Sequence, residues 1–386
     1  MLRKVYKHLT NSIIGASSSS NTPITVALDW LPNTNHAGFY VAQAKGWYSD
    51  VSLDVNVIST DDAIYLGSYH NFAGVMDDVE YATPCGLVAY GKAHFALNSP
   101  EGVINWNTRP VDDYRPKLKA VAAVTQRNTS AIACRPNIKR PRDLDKKKYA
   151  SYAARFEGRI IQQLIRNDGG EGDYEEVVQP MLGLFNTVLC PPNKEGATDA
   201  TWIFTAWEGV EAEMRCAKLN CFYLEDYNIP YGYAPCLLSS SQVLEKLGSI
   251  TVKNFMQVTA RGFEYASNPS NRHEVATLLQ NGANDGSFPG TGETISHEFL
   301  CRSLKILAPT FVDQNTGKWG IMTQDRWDTY LDWLDANHLL TTFVNSRQPK
   351  EGISATLEQL RTGHAGQRIP RTSIDSTTLF TNEYFT

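Results

Sequence analysis

Four times in this chain a short apolar strand runs directly into a polar turn that opens a helix, and this repetition restricts the fold more than any other feature. Ile24 to Leu28 leads through Asp29-Trp30-Leu31-Pro32 to a helix near His36, and Ala93 to Leu97 leads into Asn98-Ser99-Pro100-Glu101-Gly102. Tyr149 to Tyr152 leads through Ala153 to Arg159 into Ile160 to Ile165, and Asp199 to Trp207 leads into Glu208-Gly209. Strand and helix in alternation predict parallel strands with covering helices, and ligands of such sheets collect at the carboxyl ends of the strands. All four turns lie at such ends.

Each turn carries its own chemistry. The first offers an aromatic face at Trp30, side-chain amides at Asn33 and Asn35, the His36 imidazole and the free N–H groups of a helix start, a set suited to a flat polar ring. The second has Ser99 at a cap with Pro100 just inside it. The third has small residues that leave N–H groups open, with Glu157 between the fixed charges of Arg155 and Arg159, a place for phosphate or carboxylate or simply for surface ion pairs. His36 faces a ligand or caps its helix; both readings stand at this point.

Elsewhere, Leu53 to Ile58, Leu118 to Thr125, Ser130 to Cys134 and Asn220 to Leu224 read as strands, and Asp77 to Tyr90 as a helix. Lys139 to Lys148 is basic and broken by proline, a solvated loop with a short helix. Glu225 to Leu238, rich in Tyr, Pro and Gly, reads as a crossing segment with an aromatic wall. From Ser241 the chain is mainly helical, including Val243 to Ala266, Arg272 to Asn281 and Asp325 to Leu334; Trp202 and the aromatics from Trp327 to Trp333 read as core packing, and Leu379 to Phe385 as a final packed turn.

At 386 residues the chain exceeds what one core usually serves, so two lobes are expected. A formal charge of −5 with no long basic run gives no nucleic-acid footprint, and no stretch is apolar enough for a transmembrane helix. Seven cysteines without CxxC spacing read as reduced thiols, and no clustered Cys and His pairs announce a metal site. Residues 1–20 hold Arg3, Lys4, Lys7 and His8, end in four serines and contain no acid. This composition suits an organellar transit segment or a disordered extension, and favours an intracellular location, cytoplasmic or mitochondrial, over secretion.

The block Leu28-Asp-Trp-Leu-Pro-Asn-Thr-Asn-His-Ala-Gly with Ala42-Gln-Ala-Lys-Gly-Trp-Tyr resembles the opening of the SsuA and thiamine-pyrimidine-synthase-like superfamily, most of all its formylaminopyrimidine-binding branch. Asn98-Ser-Pro-Glu-Gly-Val-Ile, then Tyr149 to Arg159 with Ile165-Arg-Asn-Asp-Gly-Gly, and Thr201-Trp-Ile-Phe through Trp207-Glu-Gly-Val to Asp226-Tyr-Asn-Ile-Pro-Tyr-Gly-Tyr extend the likeness in order. The resemblance implies an α/β, two-lobe periplasmic binding protein type II-like fold, each lobe a mixed sheet covered by helices, with the ligand in the interlobe cleft. Residues 1–22 would stand outside it, 23–127 plus 237–386 would form one lobe and 128–236 the other, with hinges near Asn128 and Pro235.

The resemblance further implies a small-molecule partner, an aminopyrimidine thiamine precursor of formylaminopyrimidine or hydroxymethylpyrimidine type. Trp30 would stack on the ring, and Tyr231 or Tyr233 would close from the other lobe. Asn33, Glu101 and Glu208 would satisfy ring nitrogens and the exocyclic amine, with Arg155 and Arg159 left for a phosphate; His36, Asn98 and Glu157 complete the candidate ligand-binding set. The alternative is a thiamine-pyrimidine synthase-like enzyme. The fungal branch resembles a suicide catalyst that uses bound pyridoxal phosphate, its own histidine and an iron-binding cysteine motif. The lysine falls here at Asn98, the histidine near Gly102 and the motif around Tyr231 to Cys236, where only Cys236 is a cysteine. Pyridoxal phosphate and iron belong only to that alternative, which would need other groups such as His36, His70, His94 or Glu208; no catalytic residue is assigned. A sulfonate on the same scaffold is a third reading, and a homodimer is left open.

Overall fold

The structure, a computed structural model, describes residues 21–65, 83–108, 116–152, 154–179, 183–282, 295–342 and 357–385. The N-terminal extension through residue 20, His70, and the Asp77 to Ala82 part of the expected helix lie outside the described residues.

The first half of the chain builds a sheet and its covering helices in turn. Strand β1 (Thr22–Ala27) feeds helix α1 (Ala37–Ala44), β2 (Leu53–Ile58) follows, and α2 (Pro84–Ala89), β3 (Phe95–Asn98), α3 (Pro100–Asn107) and β4 (Leu118–Ala123) complete the run. The second sheet comprises β5 (Ser130–Cys134), β6 (Lys148–Ser151), α4 (Glu157–Asn167), β7 (Glu175–Val178), α5 (Leu184–Leu189), β8 (Ala200–Phe204), α6 (Glu208–Met214) and β9 (Asn220–Phe222). The chain then returns to the first sheet as β10 (Cys236–Ser240) and continues through α7 (Ser241–Leu247), α8 (Ser249–Ser267), α9 (Arg272–Gly282), α10 (His297–Leu307), α11 (Gln324–Ala336) and α12 (Leu357–Thr362).

The sheets run β2-β1-β3-β10-β4 and β7-β6-β8-β5-β9. Both are mixed. β1 is parallel to β2 and β3, and β6 to β7 and β8, because helices connect them; β10 lies antiparallel to β3 and β4, and β5 antiparallel to β8 and β9. Between sheets the chain crosses along residues 124–129 and again along 223–235. These crossings are stitched side by side: Val124 N–H donates to the Pro235 carbonyl at 3.0 Å and Thr125 Oγ1 to the Ala234 carbonyl at 2.6 Å.

Three local readings change. The expected single helix from Val243 to Ala266 is two, because Gly248 adopts a φ of +79° that ends α7 and precedes the start of α8. The crossing segment becomes regular at Cys236, where five successive buried residues form β10 between two partners. Strand β7 is short and half-exposed, so its Glu-Glu-Val-Val carried no alternation to read.

One face of the first sheet is covered by α1 and the long α8. Gly38 and Gly262 let these helices meet backbone to backbone: a Cβ on Gly262 would stand 2.1 Å from the Gly38 carbonyl oxygen. Phe95 stacks on Phe255 at 4.3 Å, and Phe263 packs edge-on to Phe39 at 5.3 Å and flat on Trp319 at 4.8 Å. The other large cluster spans both sheets, joining Ala96 and Ala120 of the first to Ile132 and Trp202 of the second through Tyr231, Tyr233 and Tyr330. Beyond α11, the chain reaches the second sheet, where Arg361 of α12 donates to Glu176 at 2.7 Å.

Candidate ligand-binding cleft

The first turn is held by its own polar groups. Asn33 Oδ1 accepts from Asn35 N–H at 2.8 Å, and its amide donates to the Leu31 carbonyl at 3.0 Å. His36 is wholly buried, accepts the Asn33 N–H at Nδ1 (3.1 Å) and reaches Asp29 with Nε2 at 3.3 Å. With Nδ1 accepting, Nε2 carries the proton and donates to the carboxylate. Both ring nitrogens therefore fasten the turn. Trp30, half-buried, rests against the cluster between the sheets.

The second turn delivers Glu101, at the start of α3, into that cluster. Its carboxyl is buried and accepts from Tyr330 Oη at 3.1 Å, and Tyr231 also bonds to it. Burial raises its pKa to about 7, against the pull of the two phenols and the Arg155 charge. Tyr231 sits edge-on between Trp202 (5.5 Å) and Tyr330 (5.6 Å), making an aromatic wall from three separate segments. Tyr233 is turned toward α11: its oxygen accepts the Thr323 N–H at 2.8 Å, and the Arg326 guanidinium lies 3.8 Å over its ring.

From the third turn comes Arg155, also buried. Its guanidinium donates to the carbonyls of Leu339 (3.4 Å) and Thr341 (3.1 Å) and to the Thr341 hydroxyl, tying the second sheet to the segment after α11. Desolvation lowers its proton affinity and the Glu101 charge restores part of it. Glu157 is a knot within the turn, accepting from Tyr149 Oη (2.7 Å), Ser151 Oγ (2.9 Å) and Ala154 N–H (3.1 Å), while burial and then Glu176 push it up to about 8. Arg159 points elsewhere along α4, donating to Gln162 at 2.9 Å near Arg166 and Arg361. Glu208 closes the fourth turn by accepting the Phe204 N–H at 2.9 Å; burial raises it to about 7.

Thus Glu101, Arg155 and Tyr231 come together, with Trp30 at the margin of their cluster. Asn33, His36, Glu157 and Glu208 are engaged in their own turns, and Arg159 lies apart. Tyr330 and Trp202 join the assembly although the sequence read them as core packing; what marked neither was that a residue inside an element can face a second lobe.

The residues at the positions of the fungal chemistry do not fit pyridoxal phosphate or iron. Asn98 donates to Cys85 Sγ at 3.3 Å and accepts the Ser99 N–H at 2.7 Å, and an amide cannot form a Schiff base. A side chain at Gly102 would start 2.6 Å from the Asn98 side chain, so the two departures are packed against one another. Cys236 lies buried in β10 against the Tyr233 carbonyl, and the sequence from Tyr231 to Cys236 holds no other cysteine. His94 accepts the Thr25 N–H at 2.9 Å between β1 and β3.

Comparison with known proteins agrees with this arrangement. The family model described as NMT1/THI5 like matches residues 33–65 and 75–272. The chain belongs to the NMT1/THI5-like family. It is 22% identical over 320 residues to the formylaminopyrimidine-binding protein of Halalkalibacterium halodurans, covering 82% of this chain and 86% of that one. A putative thiamine biosynthesis protein of Haemophilus influenzae is 22% identical over 246 residues, 63% of this chain and 70% of the relative. Among solved structures, the aliphatic sulphonate binding protein SsuA from Escherichia coli superposes with a TM-score of 0.55 at 13% identity over 85% of this chain and 95% of its own. The alkanesulfonate-binding protein SsuA from Xanthomonas axonopodis pv. citri gives 0.54 at 11% identity, over 83% and 94%. The fold is that of the periplasmic binding proteins, two mixed sheets covered by helices, and no helix among the described residues is long and apolar enough to cross a membrane.

Glu101 gives this family member a measurable pH signature. Its folded pKa lies above the ordinary 4.5, so the native state holds the proton more tightly. Its favourable contribution is complete below about pH 4.5 and disappears as pH rises through about 7, a swing on the order of 3 kcal/mol. In urea melts from pH 5 to 8, Glu101→Gln should therefore lose less stability on going alkaline than the wild type; parallel curves would contradict this assignment.

Proposed function

We propose that this protein binds a thiamine-type aminopyrimidine, unphosphorylated and of the formylaminopyrimidine or hydroxymethylpyrimidine class, in the cleft between its two sheets. The observation that carries the reading is the Glu101 carboxyl bonded to Tyr330 and Tyr231, with Trp202 edge-on to Tyr231 and Trp30 packed against the same hydrophobic cluster. A flat ring with an exocyclic amine needs aromatic faces and a group able to accept from the amine or donate to a ring nitrogen. A carboxyl that titrates near neutrality does either. The name of the Halalkalibacterium relative points to the same ligand class. The engagement of Arg155 with Leu339 and Thr341, and the position of Arg159 away from the cluster, favour a ring without phosphate.

Thermal melting with formylaminopyrimidine, hydroxymethylpyrimidine, its phosphate, pyridoxal phosphate and an alkanesulfonate tests this directly, since a ligand of the native state raises Tm. Formylaminopyrimidine or hydroxymethylpyrimidine should give the largest shift, and Trp30→Ala should weaken that binding by about 1–3 kcal/mol, the range of a base-stacking contact. A shift with sulfonate or pyridoxal phosphate alone, or conversion of the pyrimidine to a product of new mass, would replace the reading with a sulfonate binder or an enzyme.

A further inference from the structure

The N-terminal end of α9 meets the first turns of α10. There His273, His297 and Cys301 bring one donor atom each within 4.8 Å of one another. Cys301 Sγ lies 3.6 Å from His273 Nδ1 and 3.7 Å from His297 Nδ1. We propose that these three side chains form a site for a borderline-soft divalent transition metal, best met by Zn2+, with a fourth position left to water. The site is separate from the cleft and independent of the pyrimidine reading.

Three features support the assignment. First, zinc–thiolate and zinc–imidazole bonds meeting at a tetrahedral angle put sulfur and nitrogen about 3.5 Å apart, and both distances here are close to that edge. Second, the tautomer is already set. His297 Nε2 donates to the His273 carbonyl at 3.0 Å and lies 3.2 Å from Thr277 Oγ1, which leaves the Nδ1 lone pair facing Cys301; this is the outer hydrogen bond a metal-bound imidazole characteristically makes. Third, the two Nδ1 atoms that approach the sulfur come from two different helices, α9 and α10, so the donors surround a point between them. His297 and Cys301 are four residues apart on one helix face, and His273 arrives from another helix.

The chemistry selects the metal class. Two imidazoles and a thiol, with no carboxylate among the three, suit a borderline-soft divalent transition metal over a hard cation, and the thiol gives up its proton as the metal binds. The spacing between His273 and the other two, across the connection from α9 to α10, hides the set from any linear motif.

The test uses the full chain without an affinity tag, stripped with chelator and then titrated with Zn2+ against a chromophoric competitor, and with Co2+ as a spectroscopic stand-in. One Zn2+ per chain should bind, Co2+ should give the intense visible bands of tetrahedral cobalt with a thiolate charge-transfer band, and Cys301→Ser should abolish that band and weaken Zn2+ by about 100-fold or more. His273→Gln, at an exposed position, should weaken Zn2+ similarly with melting of the metal-free protein unchanged. Absence of Zn2+ binding by the wild type, or equal affinity in Cys301→Ser or in His273→Gln, would overturn the proposal.

Discussion

Gly262→Ala will unfold at markedly lower urea than the wild type, with a loss of about 3 kcal/mol, the upper end of what overpacking causes. The reason is that the new methyl would stand 2.1 Å from the Gly38 carbonyl oxygen and 2.9 Å from its carbon, and neither atom belongs to a side chain that can swing away. The two helices must separate, and α8 is the longest helix among the described residues. Gly38→Ala should behave alike, because its methyl would meet the Phe263 ring at 2.1 Å, and that ring is held between Phe39, Phe311 and Trp319. A shift in the urea midpoint at constant slope is the expected signature; an unshifted midpoint in both variants would show that α1 and α8 do not meet at these glycines. Because α1 begins directly after the Trp30 turn, ligand affinity should fall together with stability.

Arg155→Ala should cost about 3 kcal/mol or more, the scale for stranding one member of a buried charged network. Its guanidinium serves the Leu339 and Thr341 carbonyls and the Thr341 hydroxyl, and it supplies the positive charge that steadies Glu101. Removing it leaves buried acceptors without their donor and pushes Glu101 further upward. The double variant Arg155→Ala, Glu101→Gln should therefore be less impaired than the sum of the single losses, and strict additivity in a double-mutant cycle would show that the two groups do not communicate.

What the sequence made legible was whatever a local pattern encodes. Ile24 to Leu28 and Ala93 to Leu97 each joined an apolar run to a polar turn, and both became strands that feed helices. Asn33 and Glu208 were correctly placed at turns, but a turn's polar side chains serve its own N–H groups before they serve a ligand, and only contact distances separate those duties. Tyr330 looked like any aromatic of an amphipathic helix, since nothing local reveals that α11 lies over Glu101, which is 229 residues earlier. Gly248 lay inside a stretch, Val243 to Ala266, that reads as one helix, and a lone glycine there does not by itself reveal a break. His273 and Cys301 are likewise joined only by the packing of α9 on α10.

Calorimetric titration of formylaminopyrimidine and hydroxymethylpyrimidine into the wild type, Trp30→Ala and Glu101→Ala tests the central claim most directly. The cleft described here predicts saturable binding of one molecule per chain, weakened by about 1–3 kcal/mol in Trp30→Ala and by about 1.5–3 kcal/mol in Glu101→Ala, the worth of a hydrogen bond to a charged group. Binding that is absent in the wild type, or equally tight in all three proteins, would contradict it.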